Sequence, residues 1–243
     1  MMSRGYFSDI PKIEFKGPDS KDPFAYQYYD KNKVVLGKTM AEHLRFAVCY
    51  WHSFCWDGFD IFGAGTFDRP WHAGDLDQEA AEHKLDEAFD FISRLDVPYF
   101  CFHDVDVMAT AATPKEHVRN LSLMVDKIEE KMAATGVKLL WGTANLFSHP
   151  RYMAGGATNP DPDVTAYAAM QVRSALEATQ RLKGENYVLW GGREGYDCGL
   201  NTLIGQELDQ LGRFLNMVVE HKHKIGFKGT PPSTTRASAP SAR

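Results

Sequence analysis

Residues 99–107 read YFCFHDVDV. Four apolar or aromatic positions, Tyr99 to Phe102, give way abruptly to His103, Asp104 and Asp106. A short apolar run without polar alternation is the pattern of a strand covered on both faces, as in a parallel sheet. Parallel α/β domains place their reactive groups where such strands end. The same nine residues therefore predict both a buried parallel strand and a site at its C-terminal end.

The flanking sequence repeats the theme. LRFAVCYWH (44–52) reads as a first strand, and DQEAAEHKLDEAFDFISRLD (77–96) as a helix with Ala81, Leu85, Ala88, Phe89, Ile92 and Leu95 on one side. After the second strand, Thr113 and Glu116 form a capping box with Pro114 at the first helical position. Val118, Leu121, Val125, Ile128 and Met132 line that helix, and Gly136 stops it. VKLLWGTAN (137–145) is a third strand, followed by a helix opening at Asp161 and Pro162 and ending at Gly184. NYVLWGG (186–192) is a fourth strand, and 201–224 a fourth helix with Leu208, Leu211, Leu215 and Val218 inward. IGFKGT (225–230) opens a fifth strand. Apolar strands alternating with long helices predict parallel βαβ units, in an open doubly wound sheet or a (β/α)8 barrel. No GxGxxG follows the first strand, which counts against a dinucleotide-binding fold.

The 243 residues suffice for a substantial core. A net charge of -5 and the lack of any Lys/Arg-rich run argue against a nucleic-acid partner. No stretch approaches the roughly 20 apolar residues of a membrane span, and the N-terminus lacks the apolar core of a signal peptide. Cys49, Cys55, Cys101 and Cys198 form no CxxC pair and are expected as free thiols in a reducing cytoplasm. Residues 1–35 read as an N-terminal extension and 36–230 as the α/β domain. PPSTTRASAPSAR (231–243) has no hydrophobic period and is expected to be a disordered tail.

The strand ends are rich in chemistry: Trp51 and His52; His103, Asp104 and Asp106; Trp141, Thr143 and Asn145, with Phe147 and His149 beyond; Trp190, then Gly191, Gly192, Arg193 and Glu194. Aromatic faces cover the C–H side of a sugar while a few polar groups read its hydroxyls. A carboxylate such as Asp106, accepting one imidazole N–H of His103, fixes the tautomer and frees the other nitrogen for proton transfer. Taken singly, each residue reads equally well as a cap, a solvated loop residue or packing. H-D-x-D matches no dedicated metal-ligand spacing. The constellation predicts Trp51, His103, Thr143, Phe147 and Trp190 around one sugar-sized pocket.

LRFAVCYWHSFCWDGFDIFGAGTFDRPW, FHDVDV, LLWGTANLFSHPRYMAGGATNPDPDV and ENYVLWGGREGYDCGLNT together resemble the class II xylose isomerases, from about Tyr6 to Thr230. The resemblance implies a partial (β/α)8 TIM barrel of about four βα units plus the start of a fifth strand. It implies interconversion of D-xylose and D-xylulose, and of D-glucose and D-fructose. It also implies two divalent cations (Mg²⁺, Mn²⁺ or Co²⁺), a homotetramer and a cytoplasmic location. His103 is similar to the family's ring-opening histidine and Asp106 to the carboxylate that orients it. Trp51, Thr143, Phe147 and Trp190 match sugar-pocket positions, and Phe62 an aromatic inserted into a neighbouring subunit's pocket. Two departures stand out. The family's E-P-K-P strand, with its first metal ligand, is absent, as are the later ligands, so no residue here is assigned to metal. VMATA (107–111) replaces the family's I-A-P-E-G turn, and Ile61 stands where the family has Pro. The chain thus reads as a truncated isomerase, inactive alone. The alternatives are a non-catalytic half-barrel that binds sugar or serves assembly, or a different metal-dependent (β/α)8 sugar enzyme.

Overall fold

The computed structural model describes residues 5–72, 76–196 and 198–229, and the backbone of Ser233 and Thr234. Four strands form its central sheet: β1 (Ala47–Cys49), β2 (Tyr99–His103), β3 (Lys138–Thr143) and β4 (Asn186–Tyr187). They pair side by side in chain order, all parallel. Between and after them run α1 (Gln78–Arg94), α2 (Pro114–Thr135), α3 (Pro162–Arg181) and α4 (Ile204–Ile225). The protein is α/β with a parallel sheet, as the alternating pattern predicts.

One face of that sheet is sealed by helices. Phe100, Phe102 and Leu139 share a buried cluster with Leu85, Phe89 and Ile92 of α1 and with Leu121, Met124 and Ile128 of α2. Tyr187 joins Val172 and Leu176 of α3 and Phe214 of α4 in a second cluster. Alternate strand residues point to opposite faces, so Cys49, Cys101 and His103 belong to the other face.

The helix boundaries follow local chemistry. Thr113 Oγ1 accepts from Glu116 N at 3.2 Å while Glu116 Oε2 accepts from Thr113 N at 3.1 Å, with Pro114 in the first turn. Gly136, at φ 77°, takes the left-handed position that ends α2. Asp161 caps α3 through Asp163 N.

Several expectations need correction. The first strand covers only 47–49, because Trp51–Cys55 winds into a single π-helical turn. Lys183 (φ 55°), not Gly184, takes the left-handed turn beyond α3. NYVLWGG divides at Val188: 186–187 pair with β3, whereas Leu189–Trp190 pair in parallel with Ser233–Thr234. No strand opens at 225–229, since α4 runs to Ile225 and Gly226 turns the chain at φ 74°. Of the tail, only the backbone of Ser233–Thr234 is described; the rest lies outside the described residues. Val118 and Leu208 are exposed rather than inward. α4 seats Phe214 fully and Leu211 and Val218 partly, so its stripe is narrower than the spacing implied.

β3 lies tight against α3 at Gly142, where a Cβ would stand 2.4 Å from Thr179 Oγ1. That hydroxyl is held in turn by Ala175 O at 2.7 Å. Gly142→Ala is expected to destabilise the chain by about 1–3 kcal/mol, the usual range for overpacking, read as a lowered urea midpoint at unchanged m-value; an unchanged midpoint would mean that the helix moves aside freely.

Candidate active site

His103 is the last residue of β2 and the cap of a one-turn helix, Asp104–Val107. The turn carries Asp106 back over it. Asp106 Oδ2 accepts from His103 N at 2.8 Å and lies 2.8 Å from His103 Nδ1. Both residues are buried. With Asp106 ionised, Nδ1 carries the proton and Nε2 is the nitrogen left for exchange.

Aromatic rings extend from this pair in both directions. Trp51 lies 4.4 Å from the imidazole, centroid to centroid, and 5.3 Å from Trp141. Phe147 meets His103 edge-on at 5.3 Å and Trp190 at 4.3 Å. Thr143 sits beside His103 in strand register, and its hydroxyl donates to Val188 O. The structure thus brings Trp51, His103, Thr143, Phe147 and Trp190 to one end of the sheet. A cavity of about 490 Å³ reaches Thr143 and Trp190 and extends to Leu211 and Phe214 of α4, but Trp51, His103 and Phe147 do not line it. Phe62 is 90% exposed on the Asp60–Gly63 turn, where its N–H donates to Asp60 Oδ1, and it joins none of these ring contacts.

The remaining strand-end residues have structural partners. Asp104 is fully buried. Its Oδ1 accepts from Val105 N at 2.9 Å and from Asn145 N at 2.8 Å, and its Oδ2 from Gln171 Nε2 at 2.7 Å. His117 Nε2 lies 3.1 Å from Oδ2, close enough for an ion pair but outside hydrogen-bond alignment. Tyr152 donates to Gln171 Oε1. Asn145 Oδ1 accepts from Phe147 N and Ser148 N, which shapes the turn that presents Phe147. Glu194 accepts from Gly156 N, Ala157 N, Thr158 N and Thr158 Oγ1 at 2.9–3.2 Å, fastening the loop after Trp190 to the 155–158 loop. Gly155, at φ 93°, has no room for a Cβ there: Glu194 Oε2 and Gly195 N both stand at 2.8 Å. His149 accepts from Arg151 N at 3.1 Å, and partial burial and then the Arg151 charge lower its pKa. His52 is exposed.

Spacing alone did not mark Gln171, Tyr152 or His117 as partners of the site. Gln171 and His117 look like ordinary helix positions, and only the pairing of elements brings them to Asp104.

Hard divalent cations take several oxygen ligands each. Among the described residues no group of three or more His, Cys, Asp and Glu side chains is placed to hold a metal ion. The site carboxylates are already engaged, Asp106 by His103 and Asp104 by Val105, Asn145 and Gln171. The described residues do not fit a two-cation centre. Among the described residues no helix is long and apolar enough to cross a membrane.

The xylose isomerase of Solibacter usitatus (strain Ellin6076) is 68% identical over 229 residues, 94% of this chain and 52% of its own length. That of Brucella anthropi is 62% identical over 229 residues, with the same two shares. That of Marinomonas sp. (strain MWYL1) is 59% identical over 225 residues, 93% of this chain and 51% of its own. The chain spans about half the length of the curated relatives it matches. No protein-family profile matches it. Among solved structures, a D-tagatose 3-epimerase-like protein superposes with a TM-score of 0.42 at 16% identity, over 58% of this chain and 46% of that one. A 3-keto-D-glucoside 4-epimerase from E. coli gives 0.42 at 13%, over 62% and 50%.

Removing the Asp104 carboxylate leaves Asn145 N and Gln171 Nε2 without their buried acceptor. At about 1–3 kcal/mol for each unsatisfied buried donor, Asp104→Ala should lose roughly 3 kcal/mol or more, and Asp104→Asn, which keeps one acceptor, clearly less. Chemical denaturation checks this; equal losses in the two variants would show that shape, not acceptance, is what matters.

Proposed function

We propose, from the premise that the chain belongs to the xylose isomerase family over the residues it shares with these relatives, that it carries the sugar-opening half of an aldose–ketose isomerase site on part of a (β/α)8 barrel. The His103–Asp106 dyad is the observation that carries the reading. Opening a cyclic aldose breaks C1–O5: the O1 hydroxyl loses its proton as the carbonyl forms, and O5 gains one. An imidazole held by a carboxylate at Nδ1 is free to exchange protons through Nε2, so His103 suits that traffic. Trp51, Phe147 and Trp190 supply apolar faces for the sugar's C–H side, and Thr143 a polar contact beside the dyad.

Two features favour the barrel over a doubly wound sheet. The parallel strands run in chain order, and successive helices seal one face. A doubly wound sheet carries helices on both faces and reverses strand order at a switch point.

The relatives are named xylose isomerases; D-xylose and D-xylulose are proposed as the substrate pair, with D-glucose and D-fructose beside them. A divalent cation is proposed for the whole protein. Because the residues here do not fit that centre, the hydride transfer between C2 and C1 is not assigned to them. Phe62, large and exposed, is proposed to insert into a neighbouring subunit of a homotetramer, and a cytoplasmic location goes with the same reading. A second reading is a non-catalytic sugar-binding or assembly module, since among the described residues no group of three or more ligating side chains is placed to hold a metal ion.

Polarimetry and a xylulose assay separate the two. The purified chain should form no xylulose with Mg²⁺, Mn²⁺ or Co²⁺, yet it should speed the mutarotation of D-xylose, which requires only ring opening. His103→Gln should abolish that acceleration, and Asp106→Asn should weaken it. Mutarotation no faster with the native chain than with His103→Gln would leave the module reading; metal-dependent xylulose from chain made in an isomerase-free host would show that other residues carry the reaction.

A further inference from the structure

Cys49 and Cys101 face one another in register on β1 and β2, with their Sγ atoms 4.0 Å apart. Neither takes part in the proposed sugar chemistry. Two sulfurs bound to one tetrahedral cation at a metal–sulfur distance of about 2.3 Å stand about 3.8 Å apart, so the pair already lies within a few tenths of an ångström of that bite. A disulfide needs about 2.05 Å, half the observed separation.

The surroundings suit a small soft ion. Cys101 Sγ is buried and held against Val48 O at 3.8 Å, while Cys49 is half-buried and reachable on the sheet face without the helices. The other two thiols are placed differently. Cys55 Sγ is 3.6 Å from both Lys84 Nζ and Asp106 O, and Cys198 is exposed on its own loop.

We propose that Cys49 and Cys101 form a two-thiolate site for a soft divalent cation of the zinc and cadmium class, two residues along β2 from His103. Binding breaks two S–H bonds, releases two protons to solvent and forms two metal–sulfur bonds, with no electron transferred. Water fills the remaining coordination positions. Thiolate softness selects this class over the hard cations that prefer oxygen.

The test uses the reduced, metal-free full chain and Cd²⁺ as the probe. Titration should raise thiolate-to-cadmium charge-transfer absorbance that saturates at one equivalent, with protons released as the ion binds. Cys49→Ser and Cys101→Ser should each abolish the band, and Cys198→Ser should leave it. A second readout needs no substitution: Cd²⁺ should suppress iodoacetamide labelling of Cys49 in the native chain, followed by peptide mass spectrometry. A band that survives either strand substitution, a band lost with Cys198→Ser, or labelling of Cys49 unchanged by Cd²⁺ would overturn the proposal.

Discussion

A carboxylate sealed from solvent must find all its hydrogen bonds inside the protein, because leaving it unpaired costs several kcal/mol. Asp104 is in that position, and its partners come from separate elements: the exit of β3 through Asn145 N, and α3 through Gln171, with His117 of α2 at ion-pair distance. One buried charge thus fixes the end of β2 relative to β3, α2 and α3 at a single point. Apolar packing of Phe100, Leu139 and Met124 is non-directional and tolerates small slides. The polar point does not, and it lies one residue from the imidazole.

That adjacency explains the spacing of H-D-x-D. In the one-turn helix that follows β2, the residue three positions on reaches back to its cap, so Asp106 meets both the N–H and Nδ1 of His103 through one oxygen. The residue directly after the cap points elsewhere, and Asp104 turns in among the helices. Two carboxylates two residues apart therefore do unlike work: one orients the imidazole, the other anchors the backbone that carries it. Asn145 extends the same support by shaping the turn under Phe147, whose ring stands between His103 and Trp190.

The elements legible in the sequence were those with local causes. Capping at Thr113 and Asp161, the stop at Gly136 and the apolar runs at 99–103 and 138–143 each declare themselves within a few residues, and the dyad spans only four. What could not be read depends on distant partners. Gln171 is 67 positions from Asp104, and Glu194 is 36 to 38 from the loop it fastens. Trp51 looked like the end of a strand, since nothing in CYWHSFC announces a π-turn. In α4 the leucine spacing is sound, but burial depends on what lies against the helix, and Leu208 meets solvent.

Parallel strands are usually covered on both faces, whereas here the described helices seal one face and the chemistry lies on the other. The dyad tolerates this because its hydrogen bonds come from its own segment and its anchor from the sealed side. Trp190 differs. It is 46% exposed, and a neighbouring ring, a two-residue pairing with Ser233–Thr234 and a loop pinned by Glu194 hold it, rather than a buried core. The two ends of the aromatic line therefore have unequal rigidity. The His103 end is fixed by a buried carboxylate and by pairing within the four-stranded sheet, while the Trp190 end rests on a two-residue pairing and on hydrogen bonds at a half-exposed carboxylate, which water competes for. Adjustment of the site to the size of a bound sugar should thus fall to the Trp190 loop, with the imidazole as the fixed point.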